Sequence, residues 1–354
     1  MCLLSWPKSR TRTIQPVLCQ SWSPSYRHRP HQLNNLPKMA SSSRRRPEHF
    51  STKDIPSLTG KIALVTGATG GLGFETALAF ATAGATVLVG GRDETKGKNA
   101  VEKIKTVSPN ANVSFAMIDQ ASLASVKKFA TEYNAKQQPL DILVNNAGVM
   151  GPPTRLETSD HFEIQFGTNN LSHFALTGLL LPSLRRSTSP RVVNVSSIAA
   201  KSAKPLNFDN LNWTESYDPW LAYKVSKLIN LLFTLELQRR SDLGSWGVTA
   251  ISAHPGVAKT DLIANGPGND TWVGRLINFL SYFLAHSGER GALPQIYAAV
   301  SPDAEKNGYY GPNGWFEMKG DVTQVPIPEL GKDAEVAEKL WEVCEELTDV
   351  HWPK

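Results

Sequence analysis

Three cysteines in 354 residues, Cys2, Cys19 and Cys344, are too few and too scattered for a disulfide framework or a metal cluster. Their scarcity fits a reducing, cytoplasmic setting, and no metal is expected. Long apolar runs are missing as well. The longest candidate, Leu171 to Leu184, falls short of the roughly 18 apolar residues a spanning helix needs and contains His173 and Pro182, so no transmembrane segment is expected. Positive charge is scarce where nucleic acid would need it. The net charge of +5 comes from residues 1–50, which hold nine Lys and Arg against the single acid Glu48, while the rest of the chain holds 28 bases and 31 acids. Without a basic stripe there, nucleic acid is not an expected partner.

Residues 1–50 are rich in Arg, Ser and Pro, a composition shared with organelle transit segments. Pro7, Pro16, Pro24, Pro30 and Pro37 would interrupt an amphipathic helix, and Met39 opens a second plausible start. The composition favours a disordered basic arm or a start assigned too early over targeting, which stays open.

What is present is periodicity. With 41 % apolar residues the chain can bury a substantial core. From Lys61 onward, short β-branched runs alternate with helical stretches, as in a parallel sheet flanked by helices. Strands are expected at Ile62–Thr66, Thr86–Val89, Asn112–Met117, Asp141–Asn145, Arg191–Ser196, Val248–Ala253 and around Tyr309. Helices are expected at Leu72–Ala83, Glu94–Val107, Ser122 to Ala135, Ser159 to Leu181, Leu221–Arg240 and Glu289–Val300. A long loop, Ile198–Pro219, and an irregular apolar stretch, Asp261–His286, complete the pattern. Residues 56–350 read as one doubly wound α/β domain of Rossmann type.

Between the first strand and first helix lies Thr66-Gly67-Ala68-Thr69-Gly70-Gly71-Leu72-Gly73. Glycines there let the backbone approach a pyrophosphate at the positive end of a helix beginning near Leu72. A glycine-rich turn alone is weak evidence, and the strand–turn–helix context strengthens it. The end of the second strand, Gly90-Gly91-Arg92-Asp93, presents an arginine first, with Lys96 one turn on. Arginine accommodates the 2′-phosphate of NADP, whereas an acid would select NAD. A charge-assisted bond of roughly 1.5–3 kcal/mol corresponds to about a 10- to 150-fold preference, so NADP(H) is expected, with NAD(H) as the alternative. Asp93 suits an N-cap for the helix from Glu94.

Tyr223 and Lys227 lie four apart in Tyr223-Lys224-Val225-Ser226-Lys227, on one helix face; alone, such a pair reads as a surface tyrosine, but its place after the fifth strand and Ser197 upstream point to chemistry. Reducing a carbonyl needs a proton donor, and a free tyrosine near pKa 10 is reluctant to cycle at neutral pH. A Lys⁺ about 4 Å away, at an effective dielectric near 20, contributes on the order of 4 kcal/mol to the tyrosinate and would bring its pKa close to 7.

With Asn145-Asn146-Ala147-Gly148 after the fourth strand and Pro255-Gly256-Val257-Ala258-Lys259-Thr260 after the sixth, these motifs resemble the short-chain dehydrogenase/reductase family. The glycines fit both the classical and the extended spacing, and the later motifs match classical members. The resemblance implies that Gly67, Gly71, Leu72 and Gly73 cradle the cofactor and that Asp119 bonds the adenine amino group. It places Asn146, Ala147 and Gly148 on the adenosine side, with Val257 and Thr260 at the nicotinamide carboxamide. It makes Ser197, rather than Ser196, the residue that orients the substrate oxygen, and Asn169 the ligand of a water linked to Lys227. The stretch Asn169-Asn170-Leu171-Ser172-His173-Phe174, the 26-residue separation of Ser197 from Tyr223 and the segment Ala334–Trp341 resemble the retinol-dehydrogenase-like and WW-domain-oxidoreductase-like branch. Asn170 and Ser172 depart from its usual Asn-His-Leu-Gly-His-Phe. His173 and His254 read as structural.

The expected substrate is a small hydrophobic ketone, aldehyde or alcohol. Trp213 and Trp220 precede the catalytic helix, and Trp272, Leu276, Phe279 and Phe283 lie in the apolar stretch beyond the sixth strand. That stretch could equally pack on the core or touch a membrane surface peripherally. A homo-oligomer is compatible with the sequence. Rival readings are a redox-sensing or scaffold protein that binds NADP(H) with little turnover, and an extended-type epimerase, for which no second domain is evident.

Overall fold

In the computed structural model, residues 49–257 and 287–353 are described. The expectations for the basic arm, for Thr260 and for Asp261–His286 with its aromatic residues lie outside them. Strands β1 (Ile62–Val65), β2 (Thr86–Gly91), β3 (Val113–Met117), β4 (Ile142–Asn145), β5 (Arg191–Val195), β6 (Thr249–Ala253), β7 (Tyr309–Pro312) and β8 (Val322–Gln324) form one sheet in the order β3-β2-β1-β4-β5-β6-β7-β8. Neighbours pair in parallel except β7 with β8. The order reverses at β1, where the chain crosses from β3 over to β4. In open parallel sheets, ligands sit at such a switch point, beyond the carboxyl ends of the strands.

The near-continuous apolar strands reflect burial on both faces. Ala63 and Val65 of β1 point into one core with Phe80, Val87 and Ile251, while Leu64 points into the other with Leu143, Leu176 and Leu232. Each Val, Leu, Ile or Phe among them contributes about 1.5–3 kcal/mol on leaving water. The first core is covered by α1 (Gly71–Thr82), α2 (Glu94–Val107) and α7 (Gly288–Val300). The second is covered by α3 (Leu123–Ala135), α5 (Ser172–Leu184), α6 (Pro219–Leu243) and α8 (Ala334–Thr348).

Most element boundaries fall within two residues of expectation; three differences bear on the site. The helix expected from Ser159 begins at α4 (Ile164–Phe166), because the side chains before it serve another element. Ser159 Oγ donates to Ala121 O, and Asp160 Oδ2 accepts from Leu123 N at the start of α3. Glu163 caps α4 instead, accepting from Phe166 N at 2.8 Å. A π-helical stretch, Gly167–Leu171, then joins α4 to α5. Helix α6 starts at Pro219, two residues early, because Asp218 accepts from the amides of Trp220 and Leu221 and proline suits the first turn. Strand β2 runs on through Gly90 and Gly91, which pair with Ala116 and Met117 and bring Arg92 to the rim of the sheet.

Candidate active site

The glycine turn needs its glycines. Gly67 has φ +63 and Gly71 φ +54, in the region that side chains rarely adopt. A Cβ on Gly67 would stand 2.8 Å from Ala147 Cα, and one on Gly73 would stand 2.5 Å from Gly67 O. The turn is thus pressed against the segment after β4. Thr66 fixes that contact: its Oγ1 accepts from Asn146 N at 2.9 Å and Ala147 N at 3.0 Å, while Asn146 Nδ2 donates to Thr66 O at 2.8 Å. From α7, Gln295 Nε2 donates to Thr76 Oγ1 and reaches Asn146 Oδ1. Sequence reasoning missed Gln295 because a glutamine in an otherwise apolar helix carries no motif.

This segment opens on a cleft of about 490 Å³. Gly67, Gly71, Leu72, Gly73, Arg92, Lys96, Asp119, Asn146, Ala147, Gly148, Tyr223 and Lys227 all border it. The site fits a dinucleotide on three grounds: the glycine turn itself borders the cleft, Gly70 caps α1 without a side chain to fill its first turn, and two cations, Arg92 and Lys96, border the cleft just past β2. Asp93 borders the cleft too, yet its Oδ1 accepts from Lys96 N at 2.9 Å, the capping role expected of it. Asp119 Oδ1 accepts from Ala121 N at 3.0 Å. Val257 stands apart: its N–H donates to Met318 O at 3.0 Å, although the nearby Pro255 borders the cleft.

Asn169 and Ser197 lie beside Tyr223 and Lys227, which border the cleft. Ser196 Oγ is committed to Lys227 O at 2.7 Å, whereas Ser197 shares a side-chain hydrogen bond with Tyr223, which separates the two serines by their partners. Lys227 Nζ donates to Val195 O at 3.1 Å and lies 5.8 Å from the centre of the Tyr223 ring. A Cβ on Gly148 would lie 3.2 Å from Asn169 Oδ1 and 3.5 Å from Lys227 Nζ, so both side chains reach the Gly148 backbone. Asn169 is fully buried behind the cleft; its Oδ1 accepts from Val149 N at 2.7 Å and its Nδ2 donates to Val149 O and to Ser226 Oγ.

The electrostatics correct the sequence expectation that Lys227 brings Tyr223 close to pKa 7. Burial dominates both groups: it pushes the Tyr223 phenol up, with the Ser197 hydrogen bond pulling back, and it lowers the Lys227 ammonium to about 8. Desolvation disfavours each charged form, so the site as built holds a protonated phenol beside an ammonium of reduced basicity.

His173 and His254 are both buried, as expected of structural residues. His254 Nε2 pairs with Glu317 at 3.0 Å, and Glu317 also pairs with Lys201. No helix among the described residues is long and apolar enough to cross a membrane, and among them no group of three or more His, Cys, Asp or Glu could hold a metal.

The family model for short chain dehydrogenase matches residues 61–268. Human retinol dehydrogenase 13 is 39 % identical over 300 residues, covering 84 % of this chain and 87 % of its own. Polyprenol dehydrogenase of Mus musculus is 38 % identical over 308 residues, covering 86 % and 88 %. A solved structure of an uncharacterized protein from Mycobacterium paratuberculosis superposes with a TM-score of 0.71 at 37 % identity, covering 86 % of this chain and 99 % of that one. The glycine turn, the switch-point cleft and the Tyr223–Lys227 pair therefore occur in a chain that belongs to the short-chain dehydrogenase family of oxidoreductases, in its retinol-dehydrogenase-like branch.

Proposed function

We propose that this oxidoreductase is NADP(H)-dependent and acts on a hydrophobic carbonyl or alcohol, with Tyr223 giving and taking the proton. The observation that carries this reading is the Tyr223–Ser197 pair beside Lys227, at the edge of the same cleft that Arg92 and Lys96 border. The nicotinamide supplies the hydride. Gly67, Gly71, Leu72 and Gly73 hold the pyrophosphate at the start of α1, and Arg92 with Lys96 takes the 2′-phosphate. Asp119, Asn146, Ala147 and Gly148 line the adenosine side. The family resemblance would put Val257 and Thr260 at the carboxamide, though the Val257 N–H is engaged by Met318 O.

Ser197 orients the substrate oxygen towards Tyr223, and the phenol protonates it as charge develops there. A phenol that burial keeps protonated is in the form that donates a proton. Lys227 and Asn169 stand behind Tyr223 as its electrostatic and positional support. Trp220, 43 % exposed, lies with its ring 6.3 Å from that of Tyr223 and offers an apolar face next to it. Two relatives are named for retinol and polyprenol, both lipophilic alcohols.

The test is NADPH consumption by the full chain over a panel of hydrophobic ketones and aldehydes, with NADH and Tyr223→Phe run in parallel. Turnover that favours NADPH and falls by about 10²–10⁴ in the variant is expected. Tight NADPH binding with no reduction across the panel would replace this reading with that of a sensor.

A further inference from the structure

One buried imidazole in the second core is bonded at both nitrogens, on one side to the cofactor cradle and on the other to the backbone of Asn169. Thr66 Oγ1 has four neighbours: Asn146 N at 2.9 Å, Ala147 N at 3.0 Å, His173 Nε2 at 2.9 Å and Val144 O at 3.3 Å. A hydroxyl has one proton and two lone pairs. The two amides fill the lone pairs, and the proton goes to the nearer remaining partner, His173 Nε2. That nitrogen must then be bare, so a neutral ring carries its proton on Nδ1, which faces Asn169 O at 3.1 Å and donates to it. The opposite tautomer would set a lone pair against that carbonyl and press a third donor onto Thr66.

We infer that His173 is a positioning residue, which as the Nδ1–H tautomer ties the cofactor cradle at Thr66 to Asn169 and thereby to Tyr223. The ring is 2 % exposed, and burial, with the nearby Lys227 charge acting the same way, lowers it to about 4, so it stays neutral at working pH. From Asn169 the connection continues through Nδ2 to Ser226 Oγ at 3.0 Å, and from Ser226 Oγ to Tyr223 O at 2.8 Å. Asn169 sits in the π-helical stretch, where the regular ladder of carbonyl bonds is interrupted and a side chain can take a backbone acceptor. His173 thus orients the residue behind Lys227 without touching substrate or cofactor. The tie to Tyr223 chemistry rests on the function proposed above; the tautomer and the tie to the cradle do not.

Nitrogen-15 spectra of the histidine-labelled full chain should show one neutral ring with Nδ1 protonated and Nε2 accepting, unchanged from pH 8 to pH 5. His173→Leu removes both bonds, and His173→Asn keeps a donor near the position of Nδ1 but cannot reach Thr66. NADPH affinity, followed by fluorescence titration, should weaken about fivefold or more in both variants. The kcat should fall about 5- to 150-fold in His173→Leu with little change in substrate KM, and recover to within about threefold of native in His173→Asn. An Nε2–H tautomer for the ring whose signal disappears in His173→Leu, unchanged NADPH affinity in both variants, or an equal kcat loss in both overturns the inference. If the native protein reduces nothing, the catalytic reading fails while the spectrum and the affinities still decide the link.

Discussion

Lys227 carries the competition between burial and charge. It is 5 % exposed, and its ammonium titrates near 8 instead of 10.5. An unfolded chain binds that proton more tightly, so the group opposes stability at neutral pH, and its cost is relieved as pH rises from about 8 towards 10.5. Activity should respond with the opposite sign. Loss of the positive charge beside Tyr223 removes its electrostatic support, so kcat/KM for carbonyl reduction is expected to fall as pH rises through about 8. A pH profile of Lys227→Arg, which keeps a charge through this range, should lack that limb; a limb that survives in this variant would assign it to another group. The residue identities here were legible in the sequence and the energetics were not. Spacing brings Tyr223 and Lys227 to one face, but how deeply α5, α6 and β5 bury them depends on contacts remote in sequence. His173 was legible only as structural for the same reason: its partners, Thr66 and the Asn169 carbonyl, are revealed by packing.

Where an element stops decides what it presents. Because β2 continues to Gly91, the first residue past the sheet is Arg92, while Asp93 turns back to cap α2. On the function proposed above, that strand end would set the choice of cofactor. Arg92→Ala should reduce the preference for NADPH over NADH, measured as the ratio of kcat/KM values, by about 10- to 150-fold, and an unchanged ratio would leave the selection to other groups. Strand and helix positions were readable wherever apolar periodicity was strong, as in β1, β4 and α2. The start of the helix carrying Asn169 was not, because Asp160 looks like a local cap and in fact serves α3 across 37 residues. The short edge strand β8 escaped notice too, since Val322–Gln324 is too brief for a periodic signal.

At the scale of the molecule, α8 and the tail behind it close the second core over the helix that bears Tyr223. Trp341 packs against Phe174 at 4.9 Å, Phe233 at 5.8 Å and Trp352 at 4.6 Å, and Trp352 stacks on Trp246 at 5.5 Å. The sequence segment Ala334–Trp341 marked a family branch without revealing its aromatic packing against α5 and α6. Trp341→Ala should cost about 3–5 kcal/mol in denaturant unfolding while sparing NADPH affinity in the fraction that remains folded; a cost below about 1 kcal/mol would show the cluster to be dispensable.

The sheet order has a consequence for assembly in time. Parallel strands β1 and β4 are neighbours although Ala63 and Ile142 are far apart along the chain, and β2 and β3 are made in between. The cradle needs Thr66 beside Ala147, and Asn169 needs the amide of Val149 in place as well. No early folding fragment therefore contains half a working site, and a growing chain can grip its cofactor only after the long crossover to β4 has closed, a slow step in a sheet dominated by distant pairings.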